Sequence, residues 1–229
     1  MASEREAIKY VKEHRRPIRV VLVLLAAAML ALPPIVLSLT PGGWANWISW
    51  TTRLFGLYAF TLIFMNIVIG AMAPYFYAIF GARGEYRIHV STGVLGFLFA
   101  LAHGLIVITQ RYYRGYNAAW LIGPVALILL VITIWVALDR VRLKRVWRII
   151  HQINYVIFVG VFIKAVLIGT DLKGTSGAQQ ALMVIFSVYV AIAALAVIAR
   201  VRRYRLVAAR RRKAKAAKQA ATDVADSEG

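Results

Sequence analysis

The feature that most constrains this chain is a series of apolar stretches, each about 20 residues long, which is the length of helix that crosses a bilayer. The sequence predicts six spans, at 18–40, 54–80, 88–109, 119–138, 149–169 and 178–200. Because the whole chain has 229 residues, little remains for anything but short loops and a tail. We therefore expect an all-α integral membrane protein, folded as a six-transmembrane-helix bundle.

The distribution of basic residues predicts the orientation of the bundle. If both termini are cytoplasmic, 23 of the 28 Lys and Arg residues lie on the cytoplasmic side. Arg53, Arg111, Arg114 and Lys173 would lie outside, and Lys164 would lie within a span. This bias favours an N-in, C-in topology. We read the first apolar stretch as a retained helix, since it exceeds the length of a signal-peptide core and no clear cleavage site precedes Pro33.

Three regions follow from this reading. They are a cytoplasmic N-terminal segment (1–17), the membrane domain (18–200) and a basic cytoplasmic tail (201–229) that we expect to be partly disordered. The tail lies where anionic lipid headgroups would attract it. An acidic protein partner is an alternative, whereas nucleic acid is disfavoured for a basic segment next to a membrane.

The residue types limit the chemistry of the protein. The absence of cysteine excludes disulfides, thiolate metal sites and iron–sulfur clusters. The spans contain no paired carboxylates, which disfavours acid–base hydrolysis. The three histidines within the spans, His89, His103 and His151, are instead the candidate functional residues, because ionisable groups inside a bilayer need compensation. The alternative is that each one simply bonds a neighbouring helix, and His14 belongs to the polar N-terminal segment.

Two of these histidines share one predicted helix. The fourteen positions between His89 and His103 rise about 21 Å and return to within about 40° of the same face. The small residues Gly93, Gly96 and Ala100 lie between them on that face. Small residues favour close helix packing, but they could equally leave room for a flat macrocycle near each leaflet. The same separation argues against a shared mononuclear zinc or copper site.

His151 is the natural partner of His89. Both lie in the first residues of spans that run in the same direction, so the topology places them at one depth near the cytoplasmic face. Imidazole is an axial ligand of haem iron, and the pair could hold one haem. Arg87 and Arg148, together with Arg83, lie just below, where haem propionates would need cations.

Three segments between about residues 50 and 175 resemble the ferric reductase-like transmembrane domain family. They are "TRLFGLYAF", "RIHVSTGVLGFLFALAHG" and "WRIIHQINYVIFVGVFIKAVLIGTDL". The family includes the membrane part of NADPH oxidases, ferric reductases and the haem-binding subunit of bacterial methionine sulfoxide reductase systems. The resemblance implies a six-helix core with two histidines on each of helices three and five. These histidines bind two stacked b-type haems that carry electrons across the membrane.

Carried onto this chain, the resemblance assigns His89 and His151 to the inner haem and His103 to the outer haem. Lys164 stands where the fourth histidine is expected. Lys164 could ligate the outer haem as a neutral amine. Alternatively, the outer site is empty, or it holds a haem on His103 alone. A further possibility is that Lys164 reaches the outer surface or pairs with Asp171. Thirteen residues from His151 turn an ideal helix by about 220°, which would point Lys164 away from the haem face.

The resemblance implies a haem b protein with one haem, or two, that moves electrons from a cytoplasmic-side donor outwards. Since only 29 residues follow Arg200, we expect no flavin or nicotinamide domain, and a separate flavoprotein reductase or a membrane quinol as donor. An oxidoreductase subunit of a bacterial inner membrane is the leading expectation. The alternative is an accessory or assembly subunit of a larger membrane complex, with a structural haem or none. A haem-free transporter or channel is the weakest reading.

Overall fold

A computed structural model describes residues 2–40, 46–111, 118–144 and 146–227. The described part of the chain is helical and contains no strand. Arg114, which the charge pattern placed outside, falls beyond the described residues. The helices are α1 (Ala2–Glu13), α2 (Arg15–Leu39), α3 (Trp47–Ala71), α4 (Ala73–Arg111), α5 (Ile122–Leu138), α6 (Arg140–Leu143), α7 (Val146–His151), α8 (Ile153–Ile168), α9 (Thr170–Lys173) and α10 (Gly177–Ser227), with a short 3-10 helix at Ala118–Leu121.

Six of the helical segments in the described residues are long and apolar enough to cross a membrane. They are Arg15–Leu39, Trp47–Ala71, Ala73–Thr109, Ala119–Leu138, Val146–Ile168 and Gly177–Ala217. This confirms the expected all-α, six-helix, multi-pass architecture. The side of the membrane that each end faces stays a prediction.

The second span differs from its predicted bounds of 54–80. Helix α3 begins at Trp47, where the Asn46 side chain accepts hydrogen bonds from the backbone N–H groups of Ile48 and Ser49 (3.0 and 3.2 Å), and it ends at Ala71. Pro74 falls in the first turn of α4, where its missing N–H breaks no helical hydrogen bond. Hydropathy missed the break because the apolar residues continue across the turn at Met72.

Helix α4 contains a kink at Gly81, whose φ of 76° and ψ of 165° lie outside the helical region. A residue with a side chain would be strained at this positive φ, so glycine permits the change of direction. Residues 73–80 form a short segment on one side of the kink, and 82–111 form the long helix that carries His89 and His103. The Arg19 guanidinium donates to the Ile79 carbonyl (2.6 Å) and ties the short segment to α2.

Helix α10 continues from the sixth span into the C-terminal tail as far as Ser227, where alanines, lysines, arginines and glutamine are strong helix formers. The partial disorder expected of the tail stays a prediction. The start of the tail also closes the end of α3. Arg200 and Arg203 donate to the carbonyls of Gly70 and Ala71 (3.1 and 2.9 Å), groups that the helix itself leaves unpaired.

Helix α3 lies at the centre of the bundle and packs against α2, α4, α8 and α10. Aromatic rings fill this core: Phe60 stacks on Phe158 and Phe186 (centroids 4.4 and 4.6 Å apart), and Phe64 stacks on Tyr189 (4.3 Å). We call the end of the bundle near Arg200 the terminal end. The opposite end, near Asn46 and Asp171, is the far end.

An ion pair closes the far end. Arg53 donates through Nε to Asp171 Oδ1 (2.7 Å), and the two side chains are only 18% and 15% exposed. The sequence offered Asp171 as one possible partner of Lys164, and that pairing stays a prediction. The Arg53 pairing was not foreseen, because the predicted second span began at residue 54 and put Arg53 in a loop rather than inside α3.

We expect Asp171→Asn to lower the free energy of unfolding by about 3 kcal/mol, because it leaves the Arg53 charge half-buried and unpaired. Unfolding in detergent micelles measures this change. The double variant Arg53→Leu/Asp171→Leu should recover part of the loss, and Glu13→Gln, which removes an exposed pair with Lys9, is the matched control. Equal stability of Asp171→Asn and the unmodified protein would contradict the prediction.

Candidate functional site

The structure brings His89 of α4 and His151 of α7 together at the terminal end. Their ring centres are 6.2 Å apart and their planes are inclined by 70°. Two imidazoles that share one metal atom through bonds of about 2 Å have ring centres about 6 Å apart. The spacing of this pair therefore fits a single metal atom between the rings.

His89 is held against α3. A Cβ atom at Gly70 would lie 3.1 Å from its Cε1, so the absent side chain at Gly70 makes room for the ring. Asn66 donates to the His89 backbone carbonyl and to Thr92 Oγ1, the latter at 3.1 Å. Within the described residues, His89 Nδ1 is buried and has no hydrogen-bond partner. A buried polar atom without a hydrogen-bond partner lowers the free energy of unfolding by about 1–3 kcal/mol. Such an atom is expected where the group has a role other than stability.

His151 is held through Asn154 and Thr133. The Thr133 hydroxyl donates to Asn154 Oδ1 (2.9 Å), and Asn154 Nδ2 lies 3.5 Å from His151 Nδ1. The same hydroxyl lies 2.9 Å from the Leu130 carbonyl, so its one hydrogen is shared between two acceptors. Asn154 therefore links Thr133 of α5 to the His151 ring, as a group that orients the ring would.

Arg200 supplies the positive charge nearest this pair, and the sequence did not single it out. Its Nη1 donates to the Tyr155 hydroxyl (3.0 Å) as well as to Gly70, and its charge acts on both histidines. In the sequence it was only the last residue of the sixth predicted span, 178–200. The available signal was its position at the predicted end of the sixth span, a depth similar to that of His89.

Arg87 and Arg148, which were predicted to bind propionates, have exposed side chains. The Arg148 guanidinium lies over the Trp147 ring (5.7 Å to the centroid), and that ring lies 6.0 Å from the His151 ring. Among the described contacts, neither arginine touches His89 or His151. Their role as propionate partners stays a prediction.

His103 occupies a second place, towards the far end of α4. Its Nδ1 lies 2.8 Å from the Thr52 carbonyl oxygen of α3. Because a carbonyl only accepts, Nδ1 carries the hydrogen, and the neutral ring keeps its lone pair on Nε2. A Cβ atom at Gly56 would lie 3.0 Å from the His103 ring, so Gly56 makes room here as Gly70 does for His89.

The small residues between the two histidines serve two purposes. A Cβ atom at Gly93 would lie 3.0 Å from Asn66 Nδ2, and one at Gly96 would lie 3.1 Å from Ile63. These two glycines therefore permit the close approach of α3 and α4, the first of the alternatives that the sequence left open. Ala100, by contrast, lines a cavity.

This cavity, of about 570 Å³, lies between α3, α4, α5 and α8 at the far end. Its polar lining lies towards the Arg53–Asp171 pair and its apolar lining lies deeper in the bundle. The polar members include Thr52, Arg53, His103, Lys164, Thr170 and Asp171, and the apolar members include Ile63, Ala100, Ala126, Leu130, Ile157 and Phe158. Its size lies within the ordinary range of ligand pockets, about 300–1,000 Å³.

Lys164 lines the same cavity as His103, although an ideal helix would have pointed it away. Between His151 and Lys164 the chain runs as one span, Val146–Ile168, with a turn at Gln152 where α7 ends and α8 begins. The Gln152 N–H approaches two carbonyls, of Arg148 and Ile149 (3.2 and 3.1 Å), as in a tightened turn. The Lys164 amine lies against α5, where a Cβ atom at Gly123 would be 2.9 Å away.

Comparison with known proteins gives no match of significance to a family model, a curated protein or a solved structure. Within the described residues, no three His, Asp or Glu side chains converge on a potential metal-ion site. What the described residues provide is one close pair of imidazoles, and a third imidazole beside a cavity. This arrangement suits a metal group that brings its other ligands with it.

Proposed function

We propose that the protein is a b-type haem membrane electron-transfer protein of the ferric reductase-like type, with His89 and His151 as axial ligands of one haem. The observation that carries the proposal is the 6.2 Å spacing of the two imidazole rings on separate membrane helices. Haem supplies four equatorial nitrogens itself, so two histidines complete its coordination. When bound, haem iron supplies one-electron redox chemistry.

The residues around the pair support this role. Asn154 lies beside the His151 ring and links it to Thr133, and Gly70 makes room for the ring of His89. Arg200 provides a fixed positive charge, which favours the reduced state of a nearby redox group and attracts propionate carboxylates. Apolar helices around the site exclude water.

The proposal includes an N-in, C-in orientation in a bacterial inner membrane, which rests on the basic residues at the terminal end. The His89/His151 pair then lies towards the cytoplasm, and the His103 cavity lies towards the outside. Electrons would enter from a separate flavoprotein reductase or a membrane quinol and leave on the outer side. The exposed basic part of α10 would contact anionic lipids.

An accessory subunit of a larger membrane complex is the second candidate. Lys164, at the position where the resemblance implies a fourth histidine, favours it, because a chain without a complete second site would carry electrons only part of the way. The two candidates differ in whether a physiological donor reduces the bound haem. Rapid reduction followed by reoxidation from the outer side supports electron transfer, and a haem that only dithionite reduces supports the accessory role.

We expect His151→Ala to lower the haem content by about one haem per chain, since it removes an axial ligand. Pyridine haemochrome analysis of the purified protein measures this ratio, and electron paramagnetic resonance reports the loss of the bis-histidine signal. His14→Ala, which replaces an exposed histidine of α1–α2, is the control. A bis-histidine spectrum retained in His151→Ala would contradict the assignment of His151 as an axial ligand.

Asn154→Leu should weaken haem retention by about 10- to 100-fold, because His151 loses the group that orients its ring. Asn154→Asp keeps a polar group of the same shape beside His151 Nδ1 and still accepts from Thr133, so it should retain most of the affinity. Titration of haemin into the haem-depleted protein measures both variants, with the exposed neighbour Gln152→Leu as control. If all three variants bind haemin equally, Asn154 has no positioning role.

Arg200→Gln should lower the midpoint potential of the His89/His151 haem, since removal of a positive charge favours the ferric state. A charge about 10 Å away, at an effective dielectric constant of about 20, contributes about 1.7 kcal/mol, or about 70 mV for one electron. Spectroscopic redox titration measures the change. Arg200→Lys should keep most of the potential, and Arg142→Gln, at an exposed position, should leave it unchanged. A larger effect at Arg142 than at Arg200 would reverse the assignment.

A further inference from the structure

We propose that the surface formed by α6, α7 and the adjoining turn of α4 is the docking surface for an acidic electron-donor protein, a reduced flavoprotein. The inference rests on the proposed function and deepens it, since it names the surface and the charge of the partner. The docked donor is oxidised by one electron, which reduces the ferric iron held by the histidine pair to ferrous iron. We call this surface the loop face, and it comprises Tyr86, Arg140, Arg142, Lys144, Trp147 and Arg148.

The first support is the position of the loop face relative to the two histidines. Tyr86 is three residues before His89 in α4, and Trp147 is four residues before His151 in α7, so each aromatic residue lies one helical turn from its histidine. The centres of the Trp147 and His151 rings are 6.0 Å apart. One aromatic ring therefore separates the exposed guanidinium of Arg148 from the His151 imidazole.

The second support is that two arginines of the loop face lie over these same aromatic rings. Arg140 Cζ is 5.5 Å from the centre of the Tyr86 ring, and Arg148 Cζ is 5.7 Å from the centre of the Trp147 ring. A guanidinium stacked on a ring keeps its planar fork of N–H groups free to bind a carboxylate. The Arg140 contact also joins α6 to the helix that carries His89. The positive charges are thus placed at fixed distances from the histidine pair.

The third support is the sign of the charge. The arginines of the loop face and Lys144 are exposed, and the Arg142 side chain is 86% exposed. Among the described residues between 138 and 148, Asp139 is the one acidic residue, with its Oδ1 3.7 Å from Arg142 Nε. The net charge of the surface is therefore positive. A positive surface attracts an acidic protein and raises its association rate by about 10- to 1,000-fold.

Anionic lipid headgroups are the other class of negatively charged partner for such a surface. A lipid surface responds to the number of positive charges, whereas an electron donor must dock at one place close to the redox group. The two stacked arginines lie beside the rings that precede His89 and His151 by one turn. This placement favours the donor protein.

Binding of flavodoxin, a small acidic flavoprotein, tests the loop face independently of haem reduction. The full-length protein is held in nanodiscs of neutral phosphatidylcholine, and surface plasmon resonance measures the affinity. Arg140→Glu/Arg142→Glu should weaken binding by about 10- to 100-fold, because it reverses two charges at the interface. Arg140→Gln/Arg142→Gln removes the same two charges without reversing them and should weaken binding by an intermediate factor.

The matched control is Arg5→Glu/Lys12→Glu, which makes the same change of charge at exposed positions of α1. It should change flavodoxin binding by less than about twofold, since salt screens charges that lie more than about 10 Å from the interface. In stopped-flow experiments, reduction by flavodoxin hydroquinone should slow in Arg140→Glu/Arg142→Glu by the same factor as binding weakens. The midpoint potential should stay unchanged, so that the slower reduction reports docking.

Several results would overturn the inference. One is that the unmodified protein does not bind flavodoxin, and another is that Arg140→Glu/Arg142→Glu binds it equally well. An equal loss in Arg5→Glu/Lys12→Glu would mean that net charge, rather than the loop face, is recognised. If Arg140→Glu/Arg142→Glu keeps flavodoxin binding but loses binding to phosphatidylglycerol vesicles, these arginines contact lipids instead. The proposed function fails separately, when the protein binds flavodoxin through the loop face but takes up no haem.

Discussion

The structure depends on one constraint: polar groups inside an apolar bundle must find their partners within the protein, and α3 supplies most of those partners. Its carbonyl at Thr52 accepts from His103, and its Asn66 side chain bonds α4. The last carbonyls of α3 accept from Arg200 and Arg203 of α10. Inside a bilayer such groups have no water with which to form hydrogen bonds, so these contacts decide how α4 and α10 are placed around α3.

The same helix sets the spacing of the histidines. Gly56 and Gly70 are fourteen positions apart on α3, as His103 and His89 are on α4, and the two helices run in opposite directions. Each glycine therefore receives one imidazole ring. Between them, Gly93 and Gly96 let the two backbones approach closely. The helix pair thus acts as one rigid unit that presents two imidazoles at different depths, one facing His151 and one facing the cavity.

Helix α8 places Lys164 in the wall of the cavity that His103 also lines. A tightened turn at Gln152 lies between His151 and Lys164 within the same span. The two candidate sites differ in kind: a close pair of imidazoles at the terminal end, and a single imidazole with cationic neighbours at the far end.

The sequence by itself determined the all-helical membrane architecture, because a length of about 20 apolar residues leaves a backbone no other way to satisfy its hydrogen bonds in lipid. It also determined which residues are costly there, His89, His103, His151 and Lys164, and that His89 and His151 share a depth. Helical periodicity did not reveal the break at Met72, the turn at Gln152 or the partner of Asp171, since each depends on contacts between distant segments. The positions of Asn154 and Arg200 beside the histidine pair, and the exposed positions of Arg87 and Arg148, were likewise decided only by tertiary structure. Depth along a membrane helix can be read from position in the chain, but the direction of a side chain is set by the helices that pack against it.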